Sequence, residues 1–433
     1  MDEKTILLIT FLATYLIIIT SEKISAVFSK FPHLQRIFIY KGIIIWISLL
    51  LLILLRIVSP ANIINYTHWD IIWLFLGTMV IAEAFILSEI PELLANQLLK
   101  FSNSLVSAII ILSAFAGFIS IFCENVATVL IVAPVAFEIA RKMDVSPVPL
   151  IISIAISSNL QGAALLIGDP PSMILASFNN MNFMDFIVYN GKPSMFFIME
   201  TAAVVSLVVL YIIFKRLNKK IKVESKKIGV DVFPGIILVL FIITISLGIV
   251  SPGTTAMIYA LISFLWIFYR KKKEGFKIAK KLDYDTVFFL IGVFVFTGAL
   301  EHYGILTSIA LWFKQVANGN VFVTFTILVW GSVIVSAFID NVPYVAAMMP
   351  VGITLATMLG IPPSLFLFGI VIGASVGGNI TPIGASANIV GVGLLRKRHY
   401  TVRFFDFFKI GLPFTFFSVL TAYILLWLIY GIR

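Results

Sequence analysis

Charge is scarce in this chain. Only 12% of its 433 residues are Asp, Glu, Lys or Arg, while 60% are hydrophobic and the mean hydropathy is +1.08. A soluble domain carries roughly 25% charged residues. A surface so poor in charge cannot face water all round, so lipid must be part of the solvent. That excludes a cytosolic enzyme, a secreted domain and a disordered chain. Cysteine is limited to Cys123, so no intramolecular disulfide and no Cys metal cluster can form. The four histidines, His33, His68, His302 and His399, fall in loops or at span ends, at spacings that suggest no metal site. There is no G-x-x-x-x-G-K-[ST] loop, which argues against ATP hydrolysis. No nucleophile–base pair marks the apolar runs, which argues against an enzyme. The net charge of +10 is dispersed in short loops between apolar runs, which argues against a nucleic-acid partner. The first run, 5–20, follows Asp2 and Glu3 and lacks a small-residue cleavage site, so it reads as a retained span.

What the sequence does have is a series of apolar runs. A span needs roughly 20 apolar residues. Full spans are expected at 5–20, 37–58, 70–87, 194–214, 230–250, 254–269, 285–301 and 410–431. Four other stretches are interrupted. Two helical pieces meet at Cys123-Glu124-Asn125 within 105–140, and two more at Asp340-Asn341-Val342-Pro343 within 321–358. Gly168-Asp169-Pro170-Pro171 breaks 148–180, and the glycine-rich segment 377–384 breaks 365–395. Backbone freed by such breaks must line a cavity enclosed by protein or filled with water. The segments 215–229 and 270–283 hold seven basic residues each, and 396–409 holds five. These are expected to be cytoplasmic. Only Lys4, Lys192, Lys314 and Arg433 then fall in outside segments. The expected fold is an all-α polytopic membrane protein of the plasma membrane. It has about ten transmembrane helices plus two re-entrant hairpins, in an inverted repeat with two broken helices, and both termini outside.

Sliding the sequence by 216 residues places Glu124-Asn125-Val126 on Asp340-Asn341-Val342, Pro147 on Pro363, Gly162 on Gly378 and Ile167-Gly168 on Ile383-Gly384. A slide of 215 places Asp70 and Gly77 on Asp285 and Gly292. The expected organisation is N-terminal scaffold helices 1–69, a first repeat 70–214, basic loops and a linking helical hairpin 215–284, and a second repeat 285–431. An odd number of crossings separates the copies, so the repeat is inverted. Inverted repeats with paired broken helices mark secondary transporters whose site lies at the breaks.

The candidate ion- and substrate-binding residues follow from that frame. Glu124 and Asp340 are matched acidic tips. A carboxylate at membrane depth costs roughly 3 kcal/mol, so it is a functional candidate by default; it also suits the cap of the helix that follows. No Lys or Arg lies near either tip or break in sequence, so both carboxylates are expected to be unpaired. Asn125, Asn341 and Thr128 offer oxygen ligands to a hard cation. Ser158, Asn159 and Gly162 precede the first break, and Gly378, Asn379 and Thr381 mark the second. Asp169, Ser386 and Asn388 open the second half-helices; Asp169 is either a third carboxylate or an N-cap. Bound Na⁺ is expected at Asn125, Asn341 and the breaks, with no other cofactor. The bilayer and a small ion are the expected partners, and a homodimer is the expected assembly.

Ser336-Ala337-Phe338-Ile339-Asp340-Asn341-Val342-Pro343 and the run 377–388 (GGNITPIGASAN) resemble signatures of the ion transporter superfamily. The likeness is to its branch of arsenite efflux permeases, melanosomal P protein and NhaD-type sodium/proton antiporters, with a citrate-transporter-like domain, while citrate and divalent-anion/sodium symporters resemble it more distantly. The run 158–172 (SNLQGAALLIGDPPS) is similar to the matching motif of the first half, with Gln161 for a Gly and Ser172 for an Asn; Glu124 stands where Asp is common. The resemblance implies two hairpins, two broken helices and elevator-like movement of a transport domain against a scaffold. The expected function is secondary active transport of a small ion, such as arsenite or Na⁺, coupled to H⁺ or Na⁺. The alternatives are a Na⁺-coupled dicarboxylate or citrate carrier and, from another class, a passive ion channel.

Overall fold

The computed structural model describes residues 2–27, 40–217, 229–275 and 277–431. Most of the basic segment 215–229 and the segment 28–39, with His33, lie outside the described residues. The described chain is almost entirely helical. The helices are α1 (Glu3–Val27), α2 (Lys41–Leu54), α3 (Pro60–Tyr66), α4 (Trp69–Leu87), α5 (Ile90–Leu98), α6 (Leu105–Ser120), α7 (Asn125–Met143), α8 (Val148–Gly162), α9 (Pro170–Phe178), α10 (Met195–Phe214), α11 (Phe233–Leu247) and α12 (Pro252–Arg270). After two single-turn helices within 272–281 come α13 (Tyr284–His302), α14 (Ile305–Val316), α15 (Val321–Ser336), α16 (Asn341–Leu359), α17 (Ser364–Gly377), α18 (Ser386–Lys397) and α19 (Phe404–Leu426). Among the described residues, one two-residue strand pair, Val188–Tyr189 with Lys192–Pro193, is the only sheet.

Among the described residues six helices are long and apolar enough to cross a bilayer alone: α4, α10, α12, α13, α16 and the segment that begins at α19. Five shorter apolar helices, α2, α6, α8, α11 and α17 with its 3₁₀ extension, join them. The chain is an all-α polytopic membrane protein. Exposed apolar side chains such as Leu54, Val204, Ile249 and Ile334 cover its outside, a surface that only lipid tolerates.

Both expected helix breaks are present. α8 and α9 are separated at 163–169, and α17 and α18 at 378–385. Residues 150–169 and 364–379 are buried without interruption, so the whole first break is screened by surrounding helices, whereas the second opens outward at Ile383. The packing is reciprocal: α6 lies along α8, α15 along α17, and α10 along α19.

Three features depart from the expected spans. The described part of the run 37–58 is helical only over α2, which stops at Leu54, and a separate α3 starts beyond the run at Pro60, capped by Ser59. Pro60 has no N–H to donate to a helix interior, so it opens a new helix instead. The segments 88–104 and 302–320, expected as loops, contain the short amphipathic helices α5 and α14. Their first residues, Ile90 and Ile305, are 215 apart. The residues before them, Glu89 and Gly304, share a left-handed backbone, as do Asp144 and Gly360. The backbone therefore repeats where the side chains do not.

Two helix pairs stand beside the breaks, and each crosses from one half of the sequence to the other. α2 packs on α13, and α12 packs on α4. In both pairs an aspartate near the start of one helix caps the other. Asp285 accepts from the backbone N–H of Lys41 (3.1 Å) and Gly42 (2.8 Å). Asp70 accepts from Gly253 N–H (3.0 Å) and Ser251 Oγ (2.5 Å). The approach requires glycine: a Cβ on Gly42 would lie 2.9 Å from Asp285 Oδ1, and one on Gly253 would lie 2.6 Å from Asp70 Oδ1. Gly42→Ala and Gly253→Ala should each cost about 1–3 kcal/mol through overpacking and a lost cap. Thermal unfolding in detergent reads this out. Gly393→Ala, with nothing within 4 Å of its Cβ, should leave the melting temperature unchanged or slightly higher.

Candidate functional site

The two hairpin tips have the same backbone. Glu124 (φ −51°, ψ 142°) precedes α7, and Asp340 (φ −53°, ψ 138°) precedes α16. The N-caps of the second half-helices match as well: Asp169 (φ −148°, ψ 160°) and Ala385 (φ −148°, ψ 149°). Around a cavity of about 190 Å³ these four helix starts meet the starts of α2 and α13. Its lining includes Lys41, Glu124, Asn125, Asn159, Asp169, Asp283, Asp285, Asp340, Asn341 and Ser386. Six helix N-termini thus point at one space, and five carboxylates answer them. An acidic side chain is stabilised at each such terminus.

The five carboxylates are not equally engaged. Asp283 caps its own helix through Thr286 N–H (3.0 Å) and Thr286 Oγ (2.5 Å). Asp285 caps α2. Asp340 caps Val342 N–H through Oδ1 (3.2 Å). Its Oδ2 accepts from the Lys41 ammonium at 2.6 Å and from Ser386 Oγ at 3.4 Å. Asp169 Oδ1 accepts from Ser172 N–H (3.2 Å) and Oγ (2.9 Å), so Asp169 is an N-cap. Its Oδ2 is buried without a hydrogen bond, and the Ser375 and Asn125 side chains face it at longer range. Glu124, one CH₂ longer than aspartate, does not cap α7. The charges that face it are those of Asp283, Asp169 and Asp340. The expectation of two unpaired tips is therefore corrected. Asp340 is ion-paired, because Lys41 reaches it from a helix 299 residues away in sequence.

Behind the cavity, polar side chains answer the backbone that the breaks release. Asn159 Nδ2 donates to Asn379 Oδ1 (2.8 Å) and Asn388 Oδ1 (3.0 Å). Asn379 donates to Ile156 O (2.9 Å), and Asn388 to the carbonyls of Gly378 and Thr381 (3.0 Å each). Ser120 Oγ donates to Asn125 Oδ1 (2.6 Å) and meets Ser158 Oγ (3.0 Å), and Ser158 donates to Asn125 O (3.1 Å). Thr381 donates to Ala337 O (2.5 Å). Gly162 lies against the Asn125 amide and Gly378 against Gly384 O, with no room for a Cβ. Thr128 is fully buried with its hydroxyl unpartnered.

Of the fourteen sequence candidates, Glu124, Asn125, Asn159, Asp169, Asp340, Asn341 and Ser386 line the cavity. Thr128, Ser158, Gly162, Gly378, Asn379, Thr381 and Asn388 stand behind it. Sequence reasoning missed Lys41, Asp283 and Asp285. The repeat match of Asp70 with Asp285 was visible, but nothing marked Asp285 as facing the tips. Lys41 opens an apolar run that reads as a span, with no motif to set it apart. Among the described residues no three His, Cys, Asp or Glu side chains are grouped so as to hold a metal ion.

The profile of the citrate transporter family matches residues 15–361. The chain belongs to this family. The citrate transporter family member described here is 30% identical, over 393 residues, to a transporter of Mycobacterium tuberculosis (strain ATCC 25618 / H37Rv); the match covers 84% of this chain and 88% of that one. It is 25% identical to P protein of Homo sapiens over 82% of its own length, and spans about half of that longer protein. Its fold resembles the YdaH transporter of Alcanivorax borkumensis, with a TM-score of 0.61 over 85% of this chain and 86% of that one. It also resembles MtrF of Neisseria gonorrhoeae, described as illuminating a class of antimetabolite efflux pumps, with a TM-score of 0.56 over 88% and 85%. At 14% identity these two likenesses establish the fold alone. The protein is a multi-span membrane transporter.

The amide network makes a structural expectation. Asn388→Ala removes the donor to two buried carbonyls and an acceptor for Asn159. It should cost about 2 kcal/mol or more, seen as a lower melting temperature that added Na⁺ does not restore.

Proposed function

We propose that this transporter is a secondary active carrier of a small monovalent cation, exchanging Na⁺ and H⁺ on the carboxylates of the cavity. The charge balance of that cavity supports the reading. Each helix N-terminus carries roughly half a positive charge. Set against five carboxylates and one ammonium, six such termini leave an excess of about one negative charge. One monovalent cation neutralises it. A free tricarboxylate would raise the excess to about four. The open acceptors are Glu124 and Asp169 Oδ2, with the oxygens of Asn125, Asn159 and Asn341 beside them. Hard oxygen donors suit Na⁺, and the same carboxylates take a proton in its place.

A second reading rests on the same six N-termini, which favour an anion once the carboxylates are neutralised. A di- or tricarboxylate would then enter together with cations or protons. In both readings the carrier sits in the plasma membrane, and the elements bearing the tips and breaks move against α2, α4, α12 and α13.

Reconstituted protein should take up radiolabelled Na⁺ saturably against an outward H⁺ gradient. Arsenite and citrate serve as further solutes in the same vesicles. The Na⁺ rate should rise from pH 5.5 to 8.5, because protons and Na⁺ compete for the same groups. Glu124→Gln should lower the rate at least tenfold and flatten that slope, with a smaller effect from Asp169→Asn. Flux that grows linearly with concentration, or a slope that survives in the double variant, would overturn the proposal. Citrate uptake with no Na⁺/H⁺ exchange in its absence would favour the second reading.

A further inference from the structure

The two tips differ in one respect that the repeat does not foreshadow: among the described residues Asp340 is paired with an ammonium, that of Lys41, and Glu124 with none. We propose that the Lys41 ammonium is a tethered cation that holds Asp340 until a transported cation displaces it, and so sets the affinity and ion selectivity of the cavity. This rests on the cation-carrier reading above and adds to it the residue against which the ion competes.

The placement of Lys41 is the first support. It is the first residue of α2, where the partial positive charge of the helix N-terminus repels an ammonium. Nothing in the folding of α2 calls for a lysine there, since Asp285 caps its first N–H groups. The side chain instead crosses to the tip of the second hairpin, and its Nζ lies 2.6 Å from Asp340 Oδ2. The counterpart position in the other half gives a contrast. Gly42 meets Asp285 as Gly253 meets Asp70, so Lys41 corresponds to Pro252, which carries no charge. The device exists once, on one tip.

The second support is that the pair is built to exchange. α2 packs on α13, whereas Asp340 opens α16 from the hairpin side. The ion pair therefore bridges the helices proposed to stay and those proposed to move. Both members remain partly accessible from the cavity, at 32% and 18% side-chain exposure. Asp283 and Asp285 lie near enough to act on Lys41 electrostatically. A released ammonium on a flexible four-carbon stem thus has two carboxylates to turn to. Glu124 and Asp169 face it from the first half of the cavity. A cation that replaces it finds Asp340 Oδ2 and Ser386 Oγ, which lie 3.4 Å apart. No proton or bond changes hands; one positive charge replaces another.

The experiment measures half-saturating Na⁺, and Na⁺ against K⁺ selectivity, by radiolabelled Na⁺ uptake in proteoliposomes. Lys41→Gln removes the competitor and should lower the half-saturating Na⁺ concentration at least tenfold while weakening discrimination against K⁺. Lys41→Arg binds carboxylate as a bidentate fork and should raise it at least threefold. Lys41→Cys in a Cys123→Ala background should behave like the glutamine variant and return toward wild type when aminoethyl methanethiosulfonate restores an ammonium. A purely structural tie would change melting temperature without moving half-saturation in opposite directions, and that result overturns the proposal. If the glutamine variant does not fold, the arginine variant, which keeps the charge, still decides. Wild-type protein showing no cation-driven flux would instead defeat the carrier reading itself.

Discussion

A helix that breaks inside a bilayer releases N–H and C=O groups that lipid cannot satisfy. The rest of this structure follows from meeting that demand twice. The broken helices run through the centre of the bundle, buried at 150–169 and 364–379. At the second break the Asn388 amide answers the released carbonyls of Gly378 and Thr381. The released N–H groups face the cavity, where their partial charges draw in carboxylates. The acidic cluster is thus in part a cost of the architecture. Oxygens on Glu124 and Asp169 stay unspent on helix caps, and Asp340 divides its two between a helix cap and the Lys41 ammonium.

The two halves keep a common backbone and divide the chemistry. The tips agree within a few degrees in φ and ψ, and the N-caps of the second half-helices share φ and lie about 11° apart in ψ. Yet the first half holds Glu124 and Asp169 where the second holds Asp340 and Ala385. The first half therefore carries the open negative charge, and the second carries a carboxylate already answered. Sequence symmetry alone ranks the two tips as equals; the ion pair with Lys41 separates them.

The helix breaks, the matched tips and the membrane class were legible in the sequence because each is local. Gly168-Asp169-Pro170-Pro171 stops a helix within a few residues whatever surrounds it. α5 and α14 were missed because charged and polar residues dilute their apolar faces, so they read as loops. α2 was overextended because Pro60 lies past an apolar run that hydropathy alone cannot subdivide. The site was half legible. Residues that begin helices near a motif were found. Lys41, Asp283 and Asp285 were not, since their nearness to the tips depends on α2 and α13 crossing between distant parts of the chain.

That crossing also sets an order for assembly. The cap of α2 is Asp285, more than two hundred residues downstream, and Asp70, far upstream, joins the local Ser251 in capping α12. As the chain leaves the ribosome, α2 enters the membrane early with its first turn unanswered, and it must wait there until α13 arrives. No N-terminal fragment that ends before α13 can complete it. Until α13 is made, α2 therefore lacks the partner that caps its first turn. That stage is where membrane chaperones and quality-control proteases would meet it.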